Sequence, residues 1–322
     1  MRAPEFWQRR GALPALLAPV GRLYALAGRL RQGFVRPWHA PVPVVCIGAL
    51  TVGGAGKTPT AIAVARRLAA LGRTPHIITR GYKGRLAGPV RVDPGSHTAE
   101  EVGDEALLLA ATAPTWVARN RVAGAKAAIA AGADVLVLDD GFQNPRLAKD
   151  LSLLVIDGGQ GVGNGRVLPA GPMRETMARG FARAQAVVMI GKDVTGISAR
   201  VPRALPLLRA RLAPDPDDAT AFKGRRVLAL AGIGRPQKFF DSLAQIGAKV
   251  ISKNPFPDHH PYAVAEIEAL LAEAIKRDAV PVTTTKDAVR LPPHLRPRVR
   301  VLRVTLACDR PEELDRLLAR LR

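Results

Sequence analysis

The run Thr51-Val52-Gly53-Gly54-Ala55-Gly56-Lys57-Thr58 joins residue types that suit a polyphosphate. Glycines let backbone N–H groups turn inward around phosphate oxygens, a lysine reaches the outer phosphates, and a threonine hydroxyl reaches a Mg²⁺ ion bound to them. The run is entered from the apolar stretch Val44 to Leu50 and left through an alanine-rich pattern ending near Leu71. That order of strand, loop and helix implies a nucleoside triphosphate cradled by Thr51 to Thr58. Thr51 stands where the usual motif has its first glycine. A glycine-rich turn that merely joins strand to helix is the alternative, and the pattern on both sides argues against it.

A second chemical element is Val135-Leu136-Val137-Leu138-Asp139-Asp140-Gly141, an apolar run ending in two acids. Carboxylates after a strand can hold Mg²⁺ against the β- and γ-phosphates, although acids are also common turn residues there. Gly103-Asp104-Glu105 precedes an apolar run and reads first as a helix start with an acidic first turn. Its functional alternative is a carboxylate at a strand–helix junction that accepts a hydroxyl proton. Pro255-Phe256-Pro257-Asp258-His259-His260-Pro261-Tyr262 reads as a rigid polar turn, or as a loop that presents a histidine across a cleft. Thr79 to Gly84, Gly163 to Glu175 and Thr283 to Asp287 are polar or glycine-rich segments after strands. Each is either a contact to anionic groups or a turn.

These residues need elements that converge them. Apolar runs at 76–79, 115–118, 134–138, 151–156 and 186–190 read as buried strands, and patterns near 60–71, 105–113 and 122–131 read as helices. Alternation of this kind predicts a mostly parallel sheet with helices on both faces, whose ligands gather at the carboxyl ends of the strands. Pro214-Asp215-Pro216-Asp217-Asp218 reads as a surface linker. Beyond it, runs at 226–231, 248–251, 280–284 and 299–304 predict a smaller C-terminal α/β domain over 222–322, after a core over 41–213. There is no internal repeat and no low-complexity tract.

Residues 1–40 carry seven arginines, Arg2 among them, against Glu5 alone. Leu13, Leu16, Leu17, Val20, Leu23 and Tyr24 fall on one helical face, which predicts an amphipathic helix lying on a membrane surface. Its uncharged run, Gly11 to Gly21, is far short of the roughly 20 apolar residues a span requires. A secretory signal is disfavoured by Pro14 and Pro19, and a helix packed on its own domain remains the competing reading. Overall, 48 basic against 27 acidic residues give +21 and favour an anionic partner. Aromatics at 4% are too few for base-stacking platforms, so no nucleic acid is expected. Cys46 and Cys308 make no metal spacing and read as buried thiols.

Taken together and in order, Thr51 to Pro59, Arg80-Gly81-Tyr82, Gly103-Asp104-Glu105, Asp139-Asp140-Gly141-Phe142-Gln143, Leu168 to Glu175, Phe256 to His259 and Thr284 to Asp287 resemble the tetraacyldisaccharide 4′-kinases of lipid A biosynthesis. The likeness spans both domains. It implies a P-loop core, and ATP- and Mg²⁺-dependent phosphorylation of the 4′-hydroxyl of a tetraacylated disaccharide 1-phosphate to give lipid IVA. It also implies peripheral attachment to the cytoplasmic face of the bacterial inner membrane. By position, Lys57 and Thr58 take the phosphate and metal roles, Asp139 and Asp140 the acidic metal-binding roles, Asp104 that of the catalytic carboxylate, and His259 that of its partner. His259 is expected to arrive by domain closure, bonding Asp104 only when nucleotide is bound. Ala49 and Asn144 depart from the family pattern and bear on loop packing. The runner-up class is a nucleotide-driven partitioning ATPase, whose phosphate loop has a lysine where this chain has Val52.

Overall fold

The computed structural model describes residues 4–321, so Arg2 lies outside it. After the helix α1 (Ala12–Phe34), the core comprises β1 (Val44–Gly48), α2 (Lys57–Ala70), β2 (Pro75–Thr79), β3 (Val90–Arg91), α3 (Ala99–Val102), α4 (Asp104–Ala110), β4 (Thr115–Val117), α5 (Arg121–Ala130), β5 (Val135–Asp139), β6 (Leu151–Asp157), α6 (Met177–Arg183), β7 (Ala186–Ile190) and β8 (Leu207–Pro214). The strands lie in the order β8-β7-β6-β1-β5-β2-β4-β3, parallel except for the short edge strand β3. Every residue of β1, β2, β5, β6 and β7 is buried, as expected for strands covered on both faces. Alternate residues feed opposite layers. Val44, Cys46, Leu136 and Leu138 join one apolar cluster with α5 residues, whereas Val45, Ile47, Val135 and Val137 join another with Ala61, Val64 and Leu68 of α2.

The acidic segment read as a linker is a helix start. Asp215 caps α7 (Pro216–Phe222) by accepting the Asp217 N–H at 3.1 Å, and Pro216 takes the first turn, where its missing N–H costs nothing. Next come β9 (Arg226–Ala231), α8 (Pro236–Gln245), β10 (Lys249–Pro255), α9 (Val264–Lys276), β11 (Val280–Thr284), α10 (Thr285–Ala288) and β12 (Arg300–Leu302). They form a second, parallel sheet ordered β10-β9-β11-β12, with α8 on one face and α9 on the other.

The predicted domain over 222–322 needs correction at its end. The run at 299–304 divides at Arg303: β12 stays in the small sheet, while β13 (Val304–Cys308) pairs antiparallel with β8 at the edge of the core sheet. The last helix, α11 (Pro311–Leu318), then buries Leu314 and Leu318 against the α2 layer of the core. An exposed, unpaired β8 edge and an apolar face on α2 explain the return: both are covered by this tail. The two crossings between domains therefore run side by side. Asp215 N–H donates to the Arg303 carbonyl at 2.9 Å, and the Arg303 guanidinium reaches Asp218 at 2.8 Å.

Helix α1 runs through Pro19 and packs with an unexpected face. Pro14 and Gly21 are buried, Ala25 touches the core, and a Cβ on Gly21 would lie 2.8 Å from the Val167 carbonyl oxygen. Leu16, Leu23, Leu30 and Phe34 are 77%, 66%, 50% and 85% exposed. At about 100° per residue they lie roughly opposite the packing stripe. The large apolar residues are thus not what holds the helix to its domain. Among the described residues, no helix is long and apolar enough to cross a membrane.

Candidate active site

β1 ends at Gly48 and α2 begins at Lys57, leaving Ala49 to Gly56 as the loop at the carboxyl edge of the sheet. Gly56 caps α2 at φ +93°, and a Cβ there would lie 2.3 Å from the Ile190 methyl, so both conformation and space demand glycine. Gly53 is also left-handed at φ +108°. Thr51 pairs as an isolated antiparallel bridge with Met173, and Val52 N–H donates to Pro172 O at 2.9 Å. Extended backbone in that position has no need of glycine, which accounts for the threonine. Ala55 is buried beneath the loop while Gly53 and Gly54 are open to solvent. Lys57 Nζ donates to Gly53 O at 3.2 Å, folded back over the cradle, and half-buried Thr58 follows it on the first turn of α2.

Parallel register sets Asp139 beside Ile47 on the strand entering the loop. Asp139 is 1% exposed, and its Oδ1 has no hydrogen-bond partner among the described residues. Burial pushes its carboxyl up to about 7, with the like charges of Glu105 and Asp140 adding and Lys57 and Arg121 opposing. Asp140 is at φ +53°, turned so that both its oxygens meet the Arg174 fork at 2.8 and 3.0 Å, with Lys57 Nζ at 3.9 Å. Burial raises the Asp140 carboxyl, but Lys57 and Arg174 outweigh it and hold it below the usual carboxylate range. The two acids are therefore unlike: Asp140 is satisfied by cations of the chain, and Asp139 keeps a buried oxygen that a divalent cation would satisfy.

Asp104 starts α4 after a corner at Gly103, φ +87°, where a Cβ would strike the Tyr82 carbonyl. Its Oδ1 accepts the Glu105 N–H at 2.9 Å, and its Oδ2 lies 2.8 Å from His259 Nδ1 of the small domain. His259 is held at φ +63° with its N–H donated to Gly232 O at 3.1 Å. Lys286 Nζ is 3.3 Å from His259 Nε2. An ammonium only donates, so Nε2 accepts and Nδ1 carries the hydrogen that Asp104 receives. Burial raises the Asp104 carboxyl, but the hydrogen bond from His259 and the charges of Lys286 and Arg290 outweigh it and hold it low. Glu105 moves the other way, raised by burial and by Asp104 and Asp140 against Lys286 and Lys57.

The structure thus gathers Lys57, Asp104, Asp139, Asp140 and His259 around one loop, although they span both domains. Residues without an assigned role in the sequence complete the cluster. Arg174 clasps Asp140, and Arg290 bridges Asp104 at 3.7 Å and buried Asp287 at 2.6 Å, while Tyr262 also donates to Asp287 at 2.7 Å. Arg183 grips Glu175, which accepts from Gln143 at 3.1 Å, and Gln143 reaches the Ala49 carbonyl at 3.0 Å. Asn144 accepts the Arg146 N–H within its own turn, a loop-packing task. No sequence pattern joins Arg174 to Asp140: they meet because the segment after β6 pairs with the phosphate loop, through the Thr51–Met173 bridge and the Arg174 N–H donated to Leu50 O at 2.7 Å.

The family model for tetraacyldisaccharide-1-P 4′-kinase matches residues 13–322. The chain is 57% identical to the tetraacyldisaccharide 4′-kinase of Rhodospirillum centenum, covering 99% of this chain and 96% of that protein. It is 53% identical to that of Rhodospirillum rubrum, covering 100% and 98%. Its fold superimposes on the crystal structure of LpxK from Aquifex aeolicus in complex with ATP with a TM-score of 0.77, at 28% identity, over 96% of this chain and 99% of that one. A P-loop core, an acidic strand end and a small domain that reaches back over them thus coincide with matches running the length of the sequence, and the chain belongs to the tetraacyldisaccharide-1-P 4′-kinase family.

Proposed function

We propose that this kinase transfers the γ-phosphoryl group of ATP to the 4′-hydroxyl of a tetraacyldisaccharide 1-phosphate, giving lipid IVA. The observation that carries the assignment of residues is the 2.8 Å contact of Asp104 with His259 beside the phosphate loop. A hydroxyl set against Asp104 faces the loop that holds the γ-phosphate. His259 and the neighbouring cations keep Asp104 ionised and oriented as an acceptor. Phosphoryl transfer through a loose transition state needs little early proton removal, so a carboxylate of low basicity suffices. Lys57 and the loop N–H groups neutralise charge spreading over the γ-oxygens.

The orphaned Oδ1 of Asp139, with the Thr58 hydroxyl, fits a Mg²⁺ ion carried in with the nucleotide. Such an ion supplies positive charge to the β- and γ-phosphates. Mg²⁺ is typically held by one or two protein groups plus phosphates and water, consistent with the lack, among the described residues, of any group of three or more metal-binding side chains. The Asp104–His259 contact is present in the structure, and bound nucleotide is expected to hold the small domain in this closed position. The direct test is incubation with Mg²⁺-ATP and the lipid disaccharide: phosphate transfer to the acceptor is expected, and hydrolysis without transfer overturns the assignment in favour of a nucleotide switch.

The outward apolar face of α1 supports a place at the cytoplasmic membrane surface, where ATP and an acylated acceptor meet, with Arg22 and Arg29 available to anionic headgroups. Replacing Leu16, Leu23 and Leu30 together with serine is expected to weaken co-sedimentation with anionic phospholipid vesicles by about tenfold or more, since each lost apolar side chain removes kilocalories of transfer energy. Nucleotide binding should be unaltered. Undiminished sedimentation would remove α1 from the role.

A further inference from the structure

A second bridge crosses the cleft on the far side of the phosphate loop. Asp157 closes β6, the strand next to β1, and its side chain is only 10% exposed. Its Oδ1 accepts the Gly159 N–H at 2.8 Å, and its Oδ2 accepts from the Arg235 guanidinium of the small domain, with Lys238 Nζ at 3.8 Å. Strand order puts this bridge on the β6 side of the loop and the Asp104–His259 contact on the other side, toward β2 and β4. We propose that Arg235 and Asp157 form the latch that holds the small domain down over the phosphate loop, making Arg235 a positioning residue that acts through His259. The proposal rests on the kinase reading only for its kinetic consequence.

Two features of the fold argue for this. The small domain is tethered to the core at one edge, where the crossings at Asp215 and Arg303 lie beside β8 and β13. A body tethered at one edge needs contacts further in to fix its angle, and β6 lies inward of β8 by two strands. The latch is also coupled to the histidine. Arg235 follows the turn Ile233-Gly234, and Gly232 just before it accepts the His259 N–H at 3.1 Å and an Arg290 N–H at 2.9 Å and donates to Asp287 at 2.9 Å. Movement of Arg235 is therefore passed through a few bonds to the backbone that carries His259. A buried carboxylate stripped of its guanidinium would be left with a distant exposed lysine and its own turn, so each half of the pair depends on the other.

The test compares Arg235→Ala, Asp157→Asn and the double variant in the full chain. With Mg²⁺-ATP and the lipid acceptor, each single substitution is expected to lower kcat by about tenfold or more while KM for ATP moves much less, and the double variant to be no worse than either. Arg235→Lys should recover part of the loss. In X-ray scattering with a non-hydrolysable ATP analogue, Arg235→Ala should have a larger radius of gyration than the wild type. Additive losses, a KM effect without a kcat effect, or an unchanged radius would overturn the latch. Because Arg235 is partly exposed, its alanine variant keeps the test open should Asp157→Asn fold poorly. Scattering does not use the acceptor, so a wild-type protein that transfers no phosphate to lipid would defeat the functional reading and leave the latch to be judged by its radius.

Discussion

Asp104→Asn is expected to lower kcat by about 10²- to 10⁴-fold, the range lost when a positioned general base is removed. Asparagine keeps the size of the side chain and can still face His259, so the fold and the KM for ATP should change little. His259→Ala should cost less, because it removes the orienting partner and leaves the acceptor oxygen. The two residues touch at 2.8 Å and act as a unit, so the double variant should be no slower than Asp104→Asn alone. Steady-state rates of transfer to the lipid disaccharide check all three, and wild-type turnover by Asp104→Asn would remove the residue from the mechanism. The low-lying Asp104 carboxyl adds a pH expectation. Its ionisation is complete well above its folded pKa, so the rate should show no acid limb from this group until the pH falls below the ordinary carboxylate range.

Asp139→Asn is expected to move activity and stability in opposite directions. Loss of the carboxylate proposed to meet Mg²⁺ should lower kcat by about 10²- to 10³-fold, the magnitude of losing one preorganised electrostatic contact, and raise the Mg²⁺ concentration needed. Stability should rise. The carboxyl moves from 3.8 to about 7 on folding, through burial and the charges of Glu105 and Asp140. Between those values the folded chain holds a proton that the unfolded chain has released, so stability falls as pH rises through the window and remains reduced above it. Asparagine carries no such charge, so at pH 8 without metal the variant should melt a few degrees higher, given about 2–4 °C per kcal/mol for a chain of this order of size. Below pH 4 the two proteins should melt alike. A lower melting temperature at pH 8 would mean that Asp139 is stabilised by partners of the chain itself.

Much of the core was legible because its signals are local. A strand buried on both faces is mostly apolar, and β1, β2, β5, β6 and β7 are written that way apart from His76, Ser152 and the polar residues at their carboxyl ends, Thr79, Asp139 and Asp157. The phosphate loop was legible because glycine, lysine and threonine have to be contiguous to wrap one anion. Strand β8 carries a weaker signal because only one of its faces is buried, at Leu208 and Ala210, while Arg209 and Arg211 on the other face break its apolar character. The acidic start of α7 passed for a linker because the proline and aspartates that favour turns are also those that begin helices.

The site separates along the same line. Residue type and order alone pointed to a nucleotide, to the residues proposed to meet its phosphates, and, through the ordered set of segments, to the kinase family that the matches show. Tertiary structure decided the rest. It set Asp139 apart from Asp140 by giving Arg174 to one and burying an oxygen of the other. It brought Lys286 and Arg290 to Asp104, turned the apolar face of α1 outward, and returned residues 304–308 to the core sheet. Charge, burial and pairing depend on neighbours distant in the chain, and strand order and domain apposition make those neighbours. A side chain's chemical type is carried by its own position, whereas its electrostatic surroundings exist only once the chain has folded.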